Sequence, residues 1–111
     1  MVMLFYHPSS YTAPEMLRFA ETVHASLGKQ VTVLGLSVSD DVQAVLKQRT
    51  ALKLTFPLLH GGALRTSYAI EATPKALVID ADGVVRGVWL GWGRDTATEL
   101  VAELRKWVPG R

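Results

Sequence analysis

The segment YAIEATPKALVIDADGVVRGVWLG (residues 68–91) contains two apolar runs separated by a short polar stretch. The runs are KALVID and VVRGVWLG, and the polar stretch ADG (81–83) includes Asp82-Gly83. An Asp-Gly pair between apolar runs is a strong β-hairpin signal, because the favoured two-residue turn needs positive φ at both central positions. The segment therefore predicts two antiparallel strands, and we assign Asp80 to stabilising the turn rather than to catalysis.

The rest of the chain alternates buried-strand patterns with helical patterns. VMLFY (2–6) and VTVLGLSV (31–38) are continuous apolar runs, and LTFPLL (54–59) is a short strand whose Pro57 favours a sheet edge. The segment ALRTSYAI (63–70) is long enough for about two helical turns. The resulting order is β-α-β-α-β-α-β-β-α, which predicts parallel pairing through right-handed crossovers before the closing hairpin. We expect one α/β sandwich domain over residues 1–111, with a mixed sheet of about five strands and helices on both faces.

The predicted helices carry start and stop signals. Thr12 with Glu15, and Thr96 with Glu99, have the spacing of a capping box, while Ser39 and Asp40 can cap the second helix. Gly28 and Pro109-Gly110 are expected to end the first and last helices. The predicted buried faces are Met16, Phe19, Ala20, Val23 and Leu27 in the first helix, Val42, Val45 and Leu46 in the second, and Ala97, Leu100, Val101, Leu104, Trp107 and Val108 in the last.

Composition excludes several functions. The net charge of +2 is small and spread along the chain, which gives no reason to expect nucleic acid as a partner. No apolar run approaches the ~20 residues that a membrane span needs, so no membrane contact is expected. The N-terminus MVMLFY lacks a basic region and a cleavage site, and we expect a cytoplasmic protein if the chain is complete. There is no cysteine, which excludes disulfides, thiolate catalysis and thiolate metal sites.

Four segments together resemble the thioredoxin-like superfamily, in particular its bacterial TlpA-type thiol–disulfide oxidoreductases and the related peroxiredoxins, or redoxins. They are LFYHPSSYTAPEM, VTVLGLSVSDD, FPLL and residues 68–91, and they cover almost the whole chain. The last is the most specific, because it has the family's threonine-proline pair, then an apolar strand ending in aspartate, then a glycine turn. The longer N-terminal hairpin usual in these two groups is missing.

The resemblance places the family's redox motif at the junction of the first strand and the first helix. The two positions of the TlpA-type Cys-x-x-Cys motif match Ser9 and Thr12. The peroxiredoxin motif Pro-x-x-x-Thr-x-x-Cys fits Pro8 and Thr12, but Glu15 stands at the cysteine position and Pro74 stands where an arginine is usual, so the TlpA branch is favoured. Disulfide exchange requires sulfur at the attacking atom, and a serine hydroxyl cannot replace it. We therefore expect a redox-inactive member with no catalytic residue and no cofactor.

The resemblance also implies a binding role that needs no sulfur. In the family, a cis proline faces the redox loop, and the backbone of the preceding residue pairs with an extended peptide. Thr73-Pro74 should therefore be cis. The expected partner is a protein or extended peptide, with Tyr11 as the aromatic anchor. The predicted binding surface comprises Ser9, Ser10, Tyr11, Thr12, Thr73, Pro74 and Trp92.

Two alternatives of other classes stay open. The native gene could encode cysteines at positions 9 and 12, in which case the protein is an active thiol–disulfide oxidoreductase. The chain could instead be a structural or dimerising domain of a longer protein.

Weaker site hypotheses have ordinary explanations. Hydrolysis by Ser9 or Ser10 would need His7 or Glu15 as a base, and these residues suit a loop and a helix cap. An anion site at the first helix start is a weak signal, since every helix start has free N–H groups.

The histidines and tryptophans are also assigned ordinary roles. His7, His24 and His60 lack the spacing of a helical ligand pair, so no metal site is expected. Trp107 is assigned to the core, and Trp89 to the core or to covering a sheet face.

Overall fold

The protein is described by a computed structural model that covers residues 1–61 and 73–108. The predicted helix over 63–70 and the predicted helix end at Pro109-Gly110 lie outside these residues. The elements are β1 (Val2–Tyr6), α1 (Ala13–Leu27), β2 (Val33–Ser37), α2 (Val42–Leu52), β3 (Leu58–His60), β4 (Lys75–Ile79), β5 (Val85–Leu90) and α3 (Thr96–Arg105).

The strands form one five-stranded mixed sheet in the order β3-β2-β1-β4-β5. β1 pairs with β2 in parallel and β2 pairs with β3 in parallel, whereas β4 is antiparallel to both β1 and β5. The predicted α/β thioredoxin-like sandwich with a mixed sheet is therefore confirmed. Pro57 directly precedes β3 at the sheet edge, where a missing backbone donor is tolerated.

The side chains of β1 alternate between two apolar clusters. Val2, Leu4 and Tyr6 join the cluster packed by α1 and α3, while Met3 and Phe5 join a second cluster on the opposite face. All five are buried because β1 is central. Right-handed crossovers place α1 and α2 on one side of the sheet, and α3 packs on that side too. Helices on both faces therefore stay a prediction, since the three helices of the described residues lie on one side of the sheet.

The buried face predicted for α2 is wrong. Val42 and Leu46 are exposed and no residue of α2 is buried. The reason is that α2 lies beside the edge strand β3, which has only three residues and offers little apolar surface. The helix is held instead by Arg49, whose guanidinium donates to the carbonyl oxygens of Leu54 and Phe56 at 3.1 and 3.0 Å.

Helix capping also differs from the sequence prediction. Asp41, rather than Ser39 or Asp40, caps α2, and its carboxylate accepts the Ala44 N–H at 3.0 Å. Asp40 is instead 2.8 Å from His60 Nε2. The end of α1 at Gly28 is confirmed.

The predicted capping box of α3 is wrong in the same way. Asp95 stands at its N-cap without a side-chain cap bond, and Glu99 accepts the indole N–H of Trp89 at 3.2 Å. Thr96 Oγ1 accepts the Gly93 N–H at 2.9 Å.

Trp107 was assigned to the core, and this assignment is wrong because the residue lies beyond the end of α3 and is 40% exposed. The Arg86 guanidinium lies 4.3 Å from its ring centroid, and its indole N–H donates to Glu103 Oε2 at 2.8 Å. Trp89, in contrast, is half-buried and packs against the first cluster, as predicted.

The hairpin between β4 and β5 is confirmed, but its turn is not the two-residue type. Asp80 N–H donates to the Val84 carbonyl at 3.0 Å and Gly83 N–H donates to the Asp80 carbonyl at 3.1 Å. Of the turn residues 81–83, only Gly83 has positive φ, at 82°. Ala81 lengthens the loop to three residues, and such loops need one left-handed residue rather than two.

The Asp80 carboxylate stabilises this turn, as predicted. Its Oδ1 accepts the N–H groups of Asp82 and Val84 at 2.9 and 3.0 Å, and its Oδ2 lies 2.6 Å from Arg86 Nε. The bond from Val84 N–H, followed by the bond from Arg86, lowers the pKa of Asp80.

We expect Asp80→Asn to destabilise the protein at neutral pH and to flatten its pH dependence. A lowered pKa means that Asp80 contributes stability above its unfolded-state pKa, and this contribution is lost as pH falls through the folded-state pKa. Urea unfolding from pH 7 down to pH about 2 measures it. Asp82→Asn is the matched control, since the Asp82 side chain accepts no hydrogen bond within the described residues. Equal pH profiles for wild type and Asp80→Asn would contradict the prediction.

Candidate functional site

Three chain segments meet where the strands β1, β4 and β5 begin or end, at one end of the sheet. β1 ends there at Tyr6, β4 begins there at Lys75 and β5 ends there at Leu90. The register pairs Phe5 with Lys75, and Lys75 with Leu90, so the three strand ends are adjacent. The 7–12 loop, the 73–74 segment and the start of the 91–95 loop are therefore neighbours, as the predicted binding surface requires.

The 7–12 loop, which connects β1 to α1, is folded on itself by hydrogen bonds. Ser10 N–H donates to the His7 carbonyl at 2.9 Å, and Ser9 N–H donates to His7 Nδ1 at 3.1 Å. The hydroxyls of Ser10 and Thr12 are 3.2 Å apart. Ala13 N–H donates to the Ser10 carbonyl at 3.1 Å, where α1 begins.

The capping box predicted at Thr12 and Glu15 is wrong. Thr12 does stand at the N-cap of α1, but its side chain makes no cap bond. Its backbone is already in the right-handed region, with φ −89° and ψ −8°, whereas a capping side chain needs an extended backbone. The Thr12 hydroxyl turns to Ser10 instead.

Tyr11 is the most exposed large apolar side chain of the described residues, at 98%. It stands between Ser10 and Thr12, which are both half-buried. An aromatic ring held in water on a loop tied by hydrogen bonds is available for contact with another molecule.

The Thr73-Pro74 peptide bond is cis, and Pro74 is buried while Thr73 is half-buried. The Pro74 carbonyl accepts the Gly91 N–H at 2.8 Å, which joins the 73–74 segment to the end of β5. Trp92 follows Gly91 and is half-buried, since its ring packs on Phe19 of α1 with centroids 5.2 Å apart. The Trp92 side chain is therefore held against α1 and is not free in solvent.

Hydroxyl catalysis finds no support in the loop geometry. Within the described residues, neither the Ser9 nor the Ser10 hydroxyl bonds to an imidazole or a carboxylate. His7 uses Nδ1 to accept a backbone N–H, and His60 pairs with Asp40. Residues 1–61 and 73–108 contain no group of three His, Asp or Glu side chains placed to hold a metal ion. No helix in these ranges is long and apolar enough to cross a membrane.

Two buried polar groups near the loop were missed by sequence reasoning. Gln48 of α2 donates from Nε2 to the Pro8 carbonyl at 3.2 Å, across 40 positions of sequence. The Tyr6 hydroxyl at the end of β1 is buried with no hydrogen-bond partner among the described residues, and burial raises its pKa to about 12. No local pattern marks Gln48, because its partner is a backbone carbonyl distant in sequence.

Comparison with known proteins supports the fold. The profile of the AhpC/TSA family matches residues 1–88. A search of curated proteins found no match to the chain.

Several solved structures share the fold. A putative thiol:disulfide interchange protein DsbE from Chlorobium tepidum has a TM-score of 0.86 at 13% identity, with 95% of this chain and 77% of that chain covered. A secreted Mycobacterium tuberculosis disulfide oxidoreductase homologous to E. coli DsbE gives 0.79 at 20% identity, covering 95% and 79%. StoA from Bacillus subtilis gives 0.76 at 20% identity, covering 92% and 79%.

We expect Thr12→Ala to cost less stability than Asp41→Ala. The Asp41 carboxylate satisfies a free N–H at the start of α2, and losing such a cap costs about 1 kcal/mol. Thr12 contributes no cap bond, so its replacement should cost less than about 0.5 kcal/mol. Denaturant unfolding of the two variants measures both values. A larger cost for Thr12→Ala would show that its hydroxyl caps α1 in solution.

The assignment of the two redox positions to Ser9 and Thr12 stays a prediction, and cysteine replacement tests it. We expect Ser9→Cys/Thr12→Cys to form an intramolecular disulfide and to catalyse the reduction of insulin by dithiothreitol. The wild-type protein should leave the rate of insulin reduction at its uncatalysed value. Thr12→Cys/Glu15→Cys has the same spacing across the start of α1 and is the comparison. A disulfide that forms only in that second variant would contradict the assignment.

Proposed function

The chain belongs to the AhpC/TSA family, and because it holds no cysteine we propose that it is a redox-inactive member that binds a protein or extended peptide at the former redox site. The thiol chemistry of redoxins needs a cysteine thiolate, which this chain cannot supply. The scaffold around that position is nevertheless complete in the described residues, from β1 through the cis Thr73-Pro74 bond to β5.

The observation that carries the proposal is the exposure of Tyr11. Burying an aromatic ring in a partner contributes more binding free energy than most contacts, and tyrosine is enriched among residues that dominate interfaces. At 98% exposure the Tyr11 side chain is almost entirely in contact with solvent, and it makes no hydrogen bond within the described residues. Its loop is ordered by hydrogen bonds, so little conformational entropy would be lost when a partner binds.

The surrounding groups suit an extended peptide. Ser9 and Ser10 provide hydroxyls, and Trp92 provides an apolar surface whose ring packs at a tilt against Phe19. Leu90 is 74% exposed at the end of β5. In the family the residue before the cis proline, here Thr73, offers its backbone to such a peptide. Backbone pairing would give affinity and the flanking apolar side chains would give specificity.

We expect Tyr11→Ala to weaken partner binding about tenfold or more, because a buried tyrosine at an interface commonly contributes 1.4 kcal/mol or above, by a rough estimate. The measurement is an affinity capture from the source lysate with quantitative mass spectrometry, followed by titration of the captured protein. Val84→Ala is the matched control, since Val84 is also exposed but lies in the turn between β4 and β5, at the other end of these strands.

Thr73→Pro removes the backbone N–H that is expected to pair with the peptide. This variant should therefore weaken binding of the same partner. A partner bound equally by wild type, Tyr11→Ala and Thr73→Pro would contradict the proposal and move binding to another face. Absence of any partner would favour a structural role within a longer protein.

A further inference from the structure

Besides its chain connections to β1 and α1, the 7–12 loop receives one hydrogen bond from a residue outside positions 7–16, within the described residues. The other hydrogen bonds of the loop join residues 7 to 16 to one another, through His7, Ser10 and Thr12. The exception within the described residues is Gln48, whose Nε2 donates to the Pro8 carbonyl at 3.2 Å. From this arrangement we propose that Gln48 is a positioning residue that fixes the 7–12 loop, and with it Tyr11, relative to the sheet.

The helix that carries Gln48 is held in a way that suits this role. α2 has no fully buried residue, and its apolar contact with the first cluster is made by Leu52 at its end, so polar contacts also hold it. The adjacent Arg49 donates to the carbonyl oxygens of Leu54 and Phe56, and Phe56 is fully buried. Asp41 caps the start of α2 and stabilises the helix itself. Gln48 is therefore presented to the loop from a helix that the neighbouring Arg49 ties to the 54–56 segment.

The chemistry at the contact favours a neutral amide. Gln48 Oε1 and the Tyr6 hydroxyl are both buried without a hydrogen-bond partner among the described residues. A carboxylate at position 48 would be desolvated there and could not donate to the Pro8 carbonyl. A protonated carboxyl group has the same shape as the amide and could donate.

The test is amide hydrogen exchange in the free protein, which requires no partner. Gln48→Glu should speed exchange of the Ser10 and Ala13 amides about threefold to tenfold at pH 7, as for the loss of one hydrogen bond. Gln43→Glu is the control, because Gln43 is an exposed residue of α2 whose side chain bonds to nothing within the described residues. Exchange in β1, read at Leu4, reports global stability.

Lowering the pH below the pKa of the new carboxyl group should restore protection in Gln48→Glu, since the neutral acid donates to Pro8 again. Each variant is compared with wild type at the same pH, so that pH effects common to all the variants, including any at the Ser9 N–H to His7 Nδ1 bond, cancel. Tyr6, whose pKa burial raises to about 12, stays neutral over this range, and Arg49 is the charged group that acts on it.

Recovery of loop protection at low pH, with unchanged protection of Leu4, is the result we expect. Wild-type loop exchange in Gln48→Glu at pH 7 would overturn the proposal. Faster exchange that persists at low pH or appears equally at Leu4 would also overturn it, since Gln48 would then act only on overall stability. The proposal depends on the proposed function only for its consequence at Tyr11. Its failure would leave the partner capture with Tyr11→Ala as an independent test.

Discussion

The pairing of β1 on both of its edges is the constraint on which the rest of the structure depends. β1 is parallel to β2 on one side and antiparallel to β4 on the other, and all five of its residues are buried. A one-residue slip would exchange the two apolar clusters, so the register is strongly determined. With that register fixed, the chain must leave the sheet at His7 beside the start of β4. Strand pairing alone thereby brings the 7–12 loop next to Thr73-Pro74.

The same constraint separates the scaffold from its chemistry. Strand pairing and the packing of α1 and α3 involve no residue of the loop between β1 and α1 except its ends. The sheet would therefore stay intact if, as we propose, this loop is the former redox site without its thiols. The loop is held by hydrogen bonds, exposes Tyr11 and lies beside Thr73-Pro74. A binding function needs no further change in the fold.

The sequence was informative where burial decides the structure. The apolar run 2–6 and the Asp82-Gly83 hairpin predicted the central strand and the antiparallel strands, because both signals reflect local rules of burial and backbone sterics. Side-chain hydrogen bonds were predicted poorly. Glu99 binds Trp89 rather than its own helix start, and Asp40 binds His60. Each polar group chooses between a local and a distant partner, and the distant one exists only in the folded chain.

The burial of α2 was predicted wrongly and the contact of Gln48 was not predicted, and the two failures have related reasons. Periodicity shows which side of a helix is apolar, but not how much apolar surface the neighbouring strand offers, and β3 offers little. Gln48 carries no pattern of its own, since its acceptor is the Pro8 carbonyl 40 positions away. The position of the 7–12 loop beside residues 73–74 could be predicted because its neighbours are strand ends, whose positions follow from the strand order.

The most direct measurement is a nuclear magnetic resonance titration of the ¹⁵N-labelled chain with its captured partner, read as amide shift changes along the sequence. We expect the largest changes at Ser9 to Thr12, at Thr73 and at the indole of Trp92, with little change in the hairpin turn at Asp82 and Gly83. Changes concentrated on the outer faces of α1 and α3, with the 7–12 loop unaffected, would contradict the claim that the former redox site is the binding site.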